Sequence, residues 1–132
     1  MFRGPPRESS LWSGRGLRYS NRVLTLREEF TNLKGVMLTK AHGAGNDFVL
    51  VPDPDGALDL STTTVARICD RHLGIGGDGL IRVVRSAAVP DAGAHLGGAV
   101  DAPEWFMDYR NADGTIAEMC GNGVRVFVHY VR

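Results

Sequence analysis

The residues best suited to do chemistry lie near the C-terminal end, in "EMCGNGVRVFVHYV", where one cysteine is followed by Gly-Asn-Gly and then a nearly unbroken apolar run. If a helix begins around Asn122, its N-terminus sets roughly half a positive charge and unpaired backbone N–H groups beside the Cys120 sulfur. An ordinary thiol, of pKa ~8.5, is only a few per cent thiolate at neutral pH, and a helix N-terminus raises that fraction. Cys120 then becomes a usable base. Gly121 and Gly123 let a carboxylate approach the backbone N–H groups closely, as anions do at helix N-termini. One site would hold a carboxylate and present a base to the carbon next to it. Local features do not separate this reading from its alternative, a buried cysteine beside a flexible cap.

Other stretches carry weaker signals. "GIGGDG", Gly74 to Gly79, matches the spacing of a dinucleotide-binding loop, but that loop must follow a strand and open a helix. Here a helix precedes and a strand follows, so the string reads as a tight helix-to-strand turn that needs positive φ. "HGAGND" lacks the third glycine and fails the same test. His42 and His72 stand beside turns and read as structural or solvated, and no hydrolase elbow is present. Asp70, Asp78, Asp108 and Asp113 read as turn formers and solvated charges. Cys69 falls on an apolar helix stripe, where a free cysteine behaves as a small hydrophobe.

The elements that must position Cys120 begin near Met37. "MLTKA" and "FVLVP" read as strands about a Gly-rich turn. "STTTVARICDRHLG" reads as a short amphipathic helix with Ser61 as N-cap, Val65, Ile68, Cys69 and Leu73 on one face, and Gly74 as its stop. "LIRVV" is a further strand, "SAAVPDAGAHLGGAVDAP" a surface loop, and "WFMDYR", "NADG" and "TIAEM" together a hairpin. "VRVFVHYV" is apolar nearly all round, and its place after Gly-Asn-Gly favours a buried helix over a strand. The fold class expected is α+β.

Composition narrows the function classes. At 132 residues the chain suits one domain, and its 43% apolar and 23% charged content is that of an ordinary soluble protein. No apolar stretch is long enough for a spanning helix, so no membrane partner is expected. The net charge of zero conceals an asymmetry: residues 1–36 hold seven Lys/Arg against three Asp/Glu, leaving eight against twelve in 37–132. The mildly acidic remainder argues against a nucleic-acid partner, which would need clustered cations. Cys69 and Cys120 are far apart, without metal-ligand spacing, so neither a zinc site nor a disulfide framework is expected, and a reducing cytoplasm is the simplest location. Residues 1–36, rich in Arg, Ser, Gly and Pro, read as a disordered extension lacking a secretory signal. Met37 is the expected natural start, and the stop at Arg132 without a C-cap reads as truncation.

Three blocks, "KAHGAGNDFVLV", "CDRHLGIGGDGLI" and "DYRNADGTIAEMCGNGVRVFVHYV", closely resemble the N-terminal half of diaminopimelate epimerases of actinobacterial type. The resemblance covers about residues 37–132. It implies one of two similar domains, each a mixed or antiparallel sheet wrapped around a central buried helix, with the active site between them. The implied activity interconverts LL- and meso-diaminopimelate on the route to lysine and peptidoglycan, without pyridoxal phosphate, metal or other cofactor. Two cysteines on opposite sides of the α-carbon share the proton transfer. By this resemblance Cys120 is one of the pair, Gly121 and Asn122 supply backbone donors to the substrate, and Asn46 and Asn111 bind its polar groups through their side chains. Some relatives carry a substrate-contacting glutamine where this chain has Gly79, so that contact is not expected. The second cysteine and further ligands would belong to a C-terminal domain absent from this chain, which alone should be inactive. Relatives are often homodimers. A proline-racemase-like enzyme and a non-catalytic truncated remnant or binding module are the alternatives.

Overall fold

A computed structural model gives the conformation of residues 33–90 and 103–132. The expected extension as far as residue 32, and most of the expected surface loop, lie outside the described residues. Strands β1 (Thr39–Gly43) and β2 (Asn46–Pro52) pair antiparallel from Thr39↔Leu50 to Gly43↔Asn46. Ala44 and Gly45 close the hairpin, both at positive φ (51° and 95°), because a two-residue turn must match the right-handed twist of its strands. Helix α1 (Thr62–Cys69) then carries the chain over to β3 (Gly79–Arg85), which runs parallel to β2 from Phe48↔Gly79 to Pro52↔Val83. Strand β4 (Trp105–Asn111) returns antiparallel to β3, and helix α2 (Gly121–Tyr130) follows. Among the described residues the sheet is mixed, in the order β1-β2-β3-β4, and the class is α+β.

Strand periodicity assigns the two helices to opposite faces. Phe48, Leu50, Ile81 and Val83 pack with Val126 and Phe127 of α2. Their neighbours Val49, Val51 and Leu80 pack with Val65, Ile68 and Cys69 of α1. Buried on both sides, β2 reads as a continuous apolar run and β3 as one broken only by Arg82, rather than as alternating strands. Helix α2 is covered along Gly123, Val126 and Phe127, while Val128 and Tyr130 are exposed. Its all-round apolar sequence therefore has one side uncovered by the described residues.

Two local expectations change. Ser61 caps α1 as read, its Oγ accepting from the Thr64 N–H at 3.1 Å, but the helix ends at Cys69 and Leu73 is 71% exposed. The Asp70 carboxylate accepts from the N–H groups of both His72 and Leu73 at 2.7 Å, and such a local side-chain bond ends a helix by replacing its backbone bonds. Gly74 is thus not the stop; a Cβ there would lie 2.0 Å from the Arg67 carbonyl oxygen. The expected second arm of the final hairpin is reduced to one bridge, Arg110↔Ile116. Ile116 and Met119 on that arm are exposed, so no burial holds the segment as a strand, although the Asn111–Gly114 turn forms as expected, with Gly114 at φ 87°.

One ion pair is taken deep into the α1 face. Asp53, 4% exposed, accepts from Arg82 Nε at 2.8 Å and from the N–H groups of Ala57 and Leu58. Asp108, read from sequence as a solvated charge, is half-buried between Arg82 and Arg110.

Candidate active site

The starts of β2 and β3, the end of β4 and the N-terminus of α2 meet at one end of the sheet. Gly43 makes this approach close: a Cβ there would stand 2.8 Å from Val126 Cγ2 and 3.0 Å from the Asn122 carbonyl oxygen. Cys120 is the N-cap of α2, with extended backbone (φ −112°, ψ 116°), and its side chain makes no capping bond. The thiol is free and half-buried, resting against the α2-side core. The first N–H of the helix to find an intrahelical acceptor is that of Val124, bonded to the Cys120 carbonyl at 2.9 Å. The N–H groups of Gly121, Asn122 and Gly123 precede it and are the helix's orphan donors.

The two glycines differ in role. A Cβ on Gly121 would meet nothing within 4 Å, so the space beside this backbone is open to a ligand. Gly123 is buried, and a Cβ there would contact Ile81, Phe48 and the Cys120 Cβ at 3.5–3.7 Å. Its small size serves the seating of α2 on the sheet. Neither glycine has positive φ, so the pedestal is helical rather than conformationally unusual.

Of the residues expected at the site, Asn46 and Asn122 are brought into direct contact: Asn122 Nδ2 donates to Asn46 Oδ1 at 2.8 Å. They are 76 positions apart in the chain, and only the packing of α2 beside the first hairpin joins them. Asn111 lies at the same end of the sheet, paired through Gly79 with the start of β3, two strands or roughly 10 Å across from Asn46. Its Nδ2 donates to Thr115 Oγ1 at 3.0 Å within its own turn, and its backbone N–H to the Thr115 carbonyl at 2.9 Å. A Cβ on Gly79 would fall 2.6 Å from both the Arg110 carbonyl and Tyr109 Cε2, which leaves no room for a side chain as the strands stand. Tyr109 packs edge-on to Phe48; burial, and next the negative charge of a Cys120 thiolate, push its phenol up.

Sequence reading missed the charged cluster behind these residues. Asn46 Nδ2 donates to Asp78 Oδ2 at 3.0 Å, and the Asp47 N–H donates to the same oxygen at 3.1 Å. Arg71 bonds both oxygens of Asp47, at 2.9 and 2.7 Å, and reaches Asp78 Oδ1 at 3.0 Å. Lys40 adds a contact to Asp47 at 2.8 Å and another to the Gly76 carbonyl. The Arg71 guanidinium, and then the Lys40 ammonium, hold the Asp47 carboxyl well below the usual carboxylate range. Asp78, read as a turn former, is thus a hub between the two Gly-rich turns. The available signal was the pairing of "GND" in one turn with "DR" and "GGDG" in the other, each bringing charges to glycine-bounded positions. Gly76, at φ 83°, makes the turn that was expected of "GIGGDG".

Cys69 stands apart from this end. It is 3% exposed on the α1 face, and burial pushes its thiol up to about 11. Among the described residues no three His, Cys, Asp or Glu side chains form a metal-holding group, and no helix is long and apolar enough to cross a membrane. A groove of about 320 Å³ lined by Leu33, Leu38, Ile68, Leu73 and Ile75 lies on the α1 side, away from Cys120.

The family model described as "Diaminopimelate epimerase" matches residues 38–132. The chain belongs to the diaminopimelate epimerase family. It is 61% identical over 97 residues to the diaminopimelate epimerase of Streptomyces coelicolor, covering 74% of this chain and 32% of that protein. The corresponding figures are 57% over 96 residues for that of Rhodococcus jostii, 71% and 33%, and 54% over 99 residues for that of Mycolicibacterium smegmatis, 74% and 34%. The chain spans about a third of the length of each of these relatives. All three come from actinobacteria, in keeping with the type of resemblance drawn from the motifs.

Proposed function

We propose that this chain supplies one wall of the active site of an amino-acid epimerase that interconverts LL- and meso-diaminopimelate, with Cys120 as one of two proton-transferring thiols. The observation that carries it is the placement of a free, half-buried cysteine at the N-cap of α2, beside open backbone N–H groups and the Asn46–Asn122 pair, in a chain of this family. The orphan donors of Gly121 and Asn122 hold the carboxylate next to the reacting carbon, as helix N-termini hold anions. When the Cys120 thiolate takes the α-proton, the Cα–H bond breaks and an S–H bond forms, and the electron pair left on carbon spreads into that carboxylate. The helix end then stabilises charge where it develops. A thiol on the opposite side gives its proton to the same carbon, which inverts the centre, and the two sulfurs exchange roles for the reverse direction. Asn111 binds a more distant polar group of the substrate.

The second thiol comes from outside these 132 residues. Cys69 lies in the core of the other face and is no candidate. Ile116 and Met119, exposed apolar side chains on the segment that leads into Cys120 and α2, offer the opposite wall a place to pack. Two free thiols suit a reducing cytoplasm.

A chimera tests the proposal. Residues 37–132 replace the matching third of the Streptomyces coelicolor relative, and conversion of LL-diaminopimelate is followed in D2O. We expect the meso product with one solvent deuterium at the inverted carbon, and no turnover by the 132-residue chain alone. Cys120→Ala should lower kcat by about 10²–10⁴-fold with an unchanged melting profile. Full turnover by a folded Cys120→Ala chimera would refute the role given to this thiol. Turnover of proline but not diaminopimelate would move the chain to the proline-racemase-like reading.

A further inference from the structure

The two hydrogen bonds that run from Asp78 through Asn46 to Asn122 have a forced polarity. A carboxylate paired with a guanidinium only accepts, so Asp78, held by Arg71 at 3.0 Å, must receive the Asn46 NH2 group, and does so at 3.0 Å. With its nitrogen committed, Asn46 turns its carbonyl oxygen toward Asn122, where it accepts from Nδ2 at 2.8 Å. Nitrogen and oxygen of a side-chain amide lie in one plane on opposite sides of the Cβ–Cγ axis, so the Asn122 Oδ1 is left on the side away from Asn46. Nothing else on the two side chains could choose between the orientations, because an isolated amide pair bonds equally well either way round. We propose that Asp78, clamped by Arg71, is a positioning residue: through Asn46 it fixes the orientation of the Asn122 side chain, so that the residue after Gly121 presents an acceptor, never a donor, on its side away from Asn46.

The clamp suits this task by its own geometry. The two turns are stitched reciprocally: the Asp47 N–H donates to Asp78 Oδ2 at 3.1 Å, and the Asp78 N–H to Asp47 Oδ1 at 3.1 Å and the Asp47 carbonyl at 2.8 Å. Arg71 spans both carboxylates. The Asp78 oxygen is therefore fixed before any ligand arrives, and side chains held in this way lose little freedom on binding. The relay does not depend on the epimerase reading.

The test needs no substrate, so the two readings can fail separately. Side-chain amide spectra of the 15N-labelled 132-residue chain report Asn46 and Asn122 individually. Asp78→Asn, which has an NH2 of its own to offer and no full charge, should free both amides. We expect solvent exchange of the Asn122 NH2 to speed up about fivefold, the loss of one ordinary hydrogen bond, although Asp78 does not touch it. Backbone signals of Phe48, Leu80 and Ile81 should stay in place. The exchange variant Asn46→Asp with Asp78→Asn restores a single polarity, because Asn at 78 donates to Asp at 46, which still accepts from Asn122; slow exchange at Asn122 should return. An Asn122 amide unmoved by Asp78→Asn overturns the relay. So does failure of the exchange variant to restore it in a folded chain, or an effect that spreads to the core strands.

Discussion

The two cysteines should differ widely in reactivity in the folded chain, and the size of the difference follows from where the fold puts them. Cys69 is 3% exposed beneath the α1 face and its thiol is pushed up to about 11. At pH 8 such a thiol is ionised in about one molecule in a thousand, against about one in four for an ordinary thiol of pKa ~8.5. The reactive thiolate fraction at Cys69 is therefore ~200-fold below that of an unhindered thiol, a difference that its higher intrinsic nucleophilicity offsets in part and its burial enlarges, so alkylation by iodoacetamide should be much slower there. Cys120 is half-exposed at the helix end and should take up the reagent first. A quenched time course, digested and quantified by mass spectrometry, measures both sites, and unfolding in urea should bring their rates together. The raised value also fixes a pH dependence. Because the folded thiol holds its proton more tightly than the unfolded one, its contribution to stability is complete below about pH 8.5 and is lost as the pH rises toward about 11. Cys69→Ala should cost ~1 kcal/mol at neutral pH and make the alkaline decline shallower. Modification of Cys69 within tenfold of Cys120, in a chain whose circular dichroism is unchanged, would refute the placement of this thiol in the core.

Two further outcomes concern the charged groups. Asp53→Ala removes the nearer of two carboxylates from a mostly buried Arg82 and strands two backbone N–H groups, so stability should fall by about 3–5 kcal/mol, read as a lower urea midpoint; a loss under ~1 kcal/mol would mean that Asp108, 3.6 Å from Arg82, takes over the pairing. Asp47 is held below the usual carboxylate range by Arg71 and Lys40, so its contribution is present above about pH 4 and disappears as the pH falls from there toward its own lowered value. Asp47→Asn should flatten the acid limb of a pH–stability profile, and an unchanged limb would place the acid sensitivity elsewhere.

Much of this was legible in the sequence because it is local. Ser61 announces a helix start through its own hydroxyl, Gly45 and Gly76 announce turns through φ values that other residues avoid, and "CGNGVRVF" announces a helix whose end faces a thiol. The family blocks placed Cys120, Asn46, Gly121, Asn122 and Asn111 on candidate lists. What failed locally also has a local cause: Leu73 keeps the helical period but follows Asp70, whose carboxylate takes the N–H groups that the helix would have used. Ile116 and Met119 have the composition of a strand, but among the described residues they stay exposed.

Only the tertiary structure decided which of these residues meet. Asn46 and Asn122 come together because α2 seats against the first hairpin, where Gly43 lacks the Cβ that would hold it away. Asp78 changed from a turn residue to the hub of a polar cluster because β3 runs parallel beside β2, which sets the "GGDG" turn next to "GND". The register of β4 on β3 carried Asn111 to that end of the sheet, and the packing of α1 put Cys69 on the other face. Composition and spacing fix what a residue is able to donate, accept or ionise, since those are properties of the side chain and its near neighbours. Which partner it uses depends on strand order, register and helix packing, and these are settled by burying apolar surface on both faces of the sheet at once.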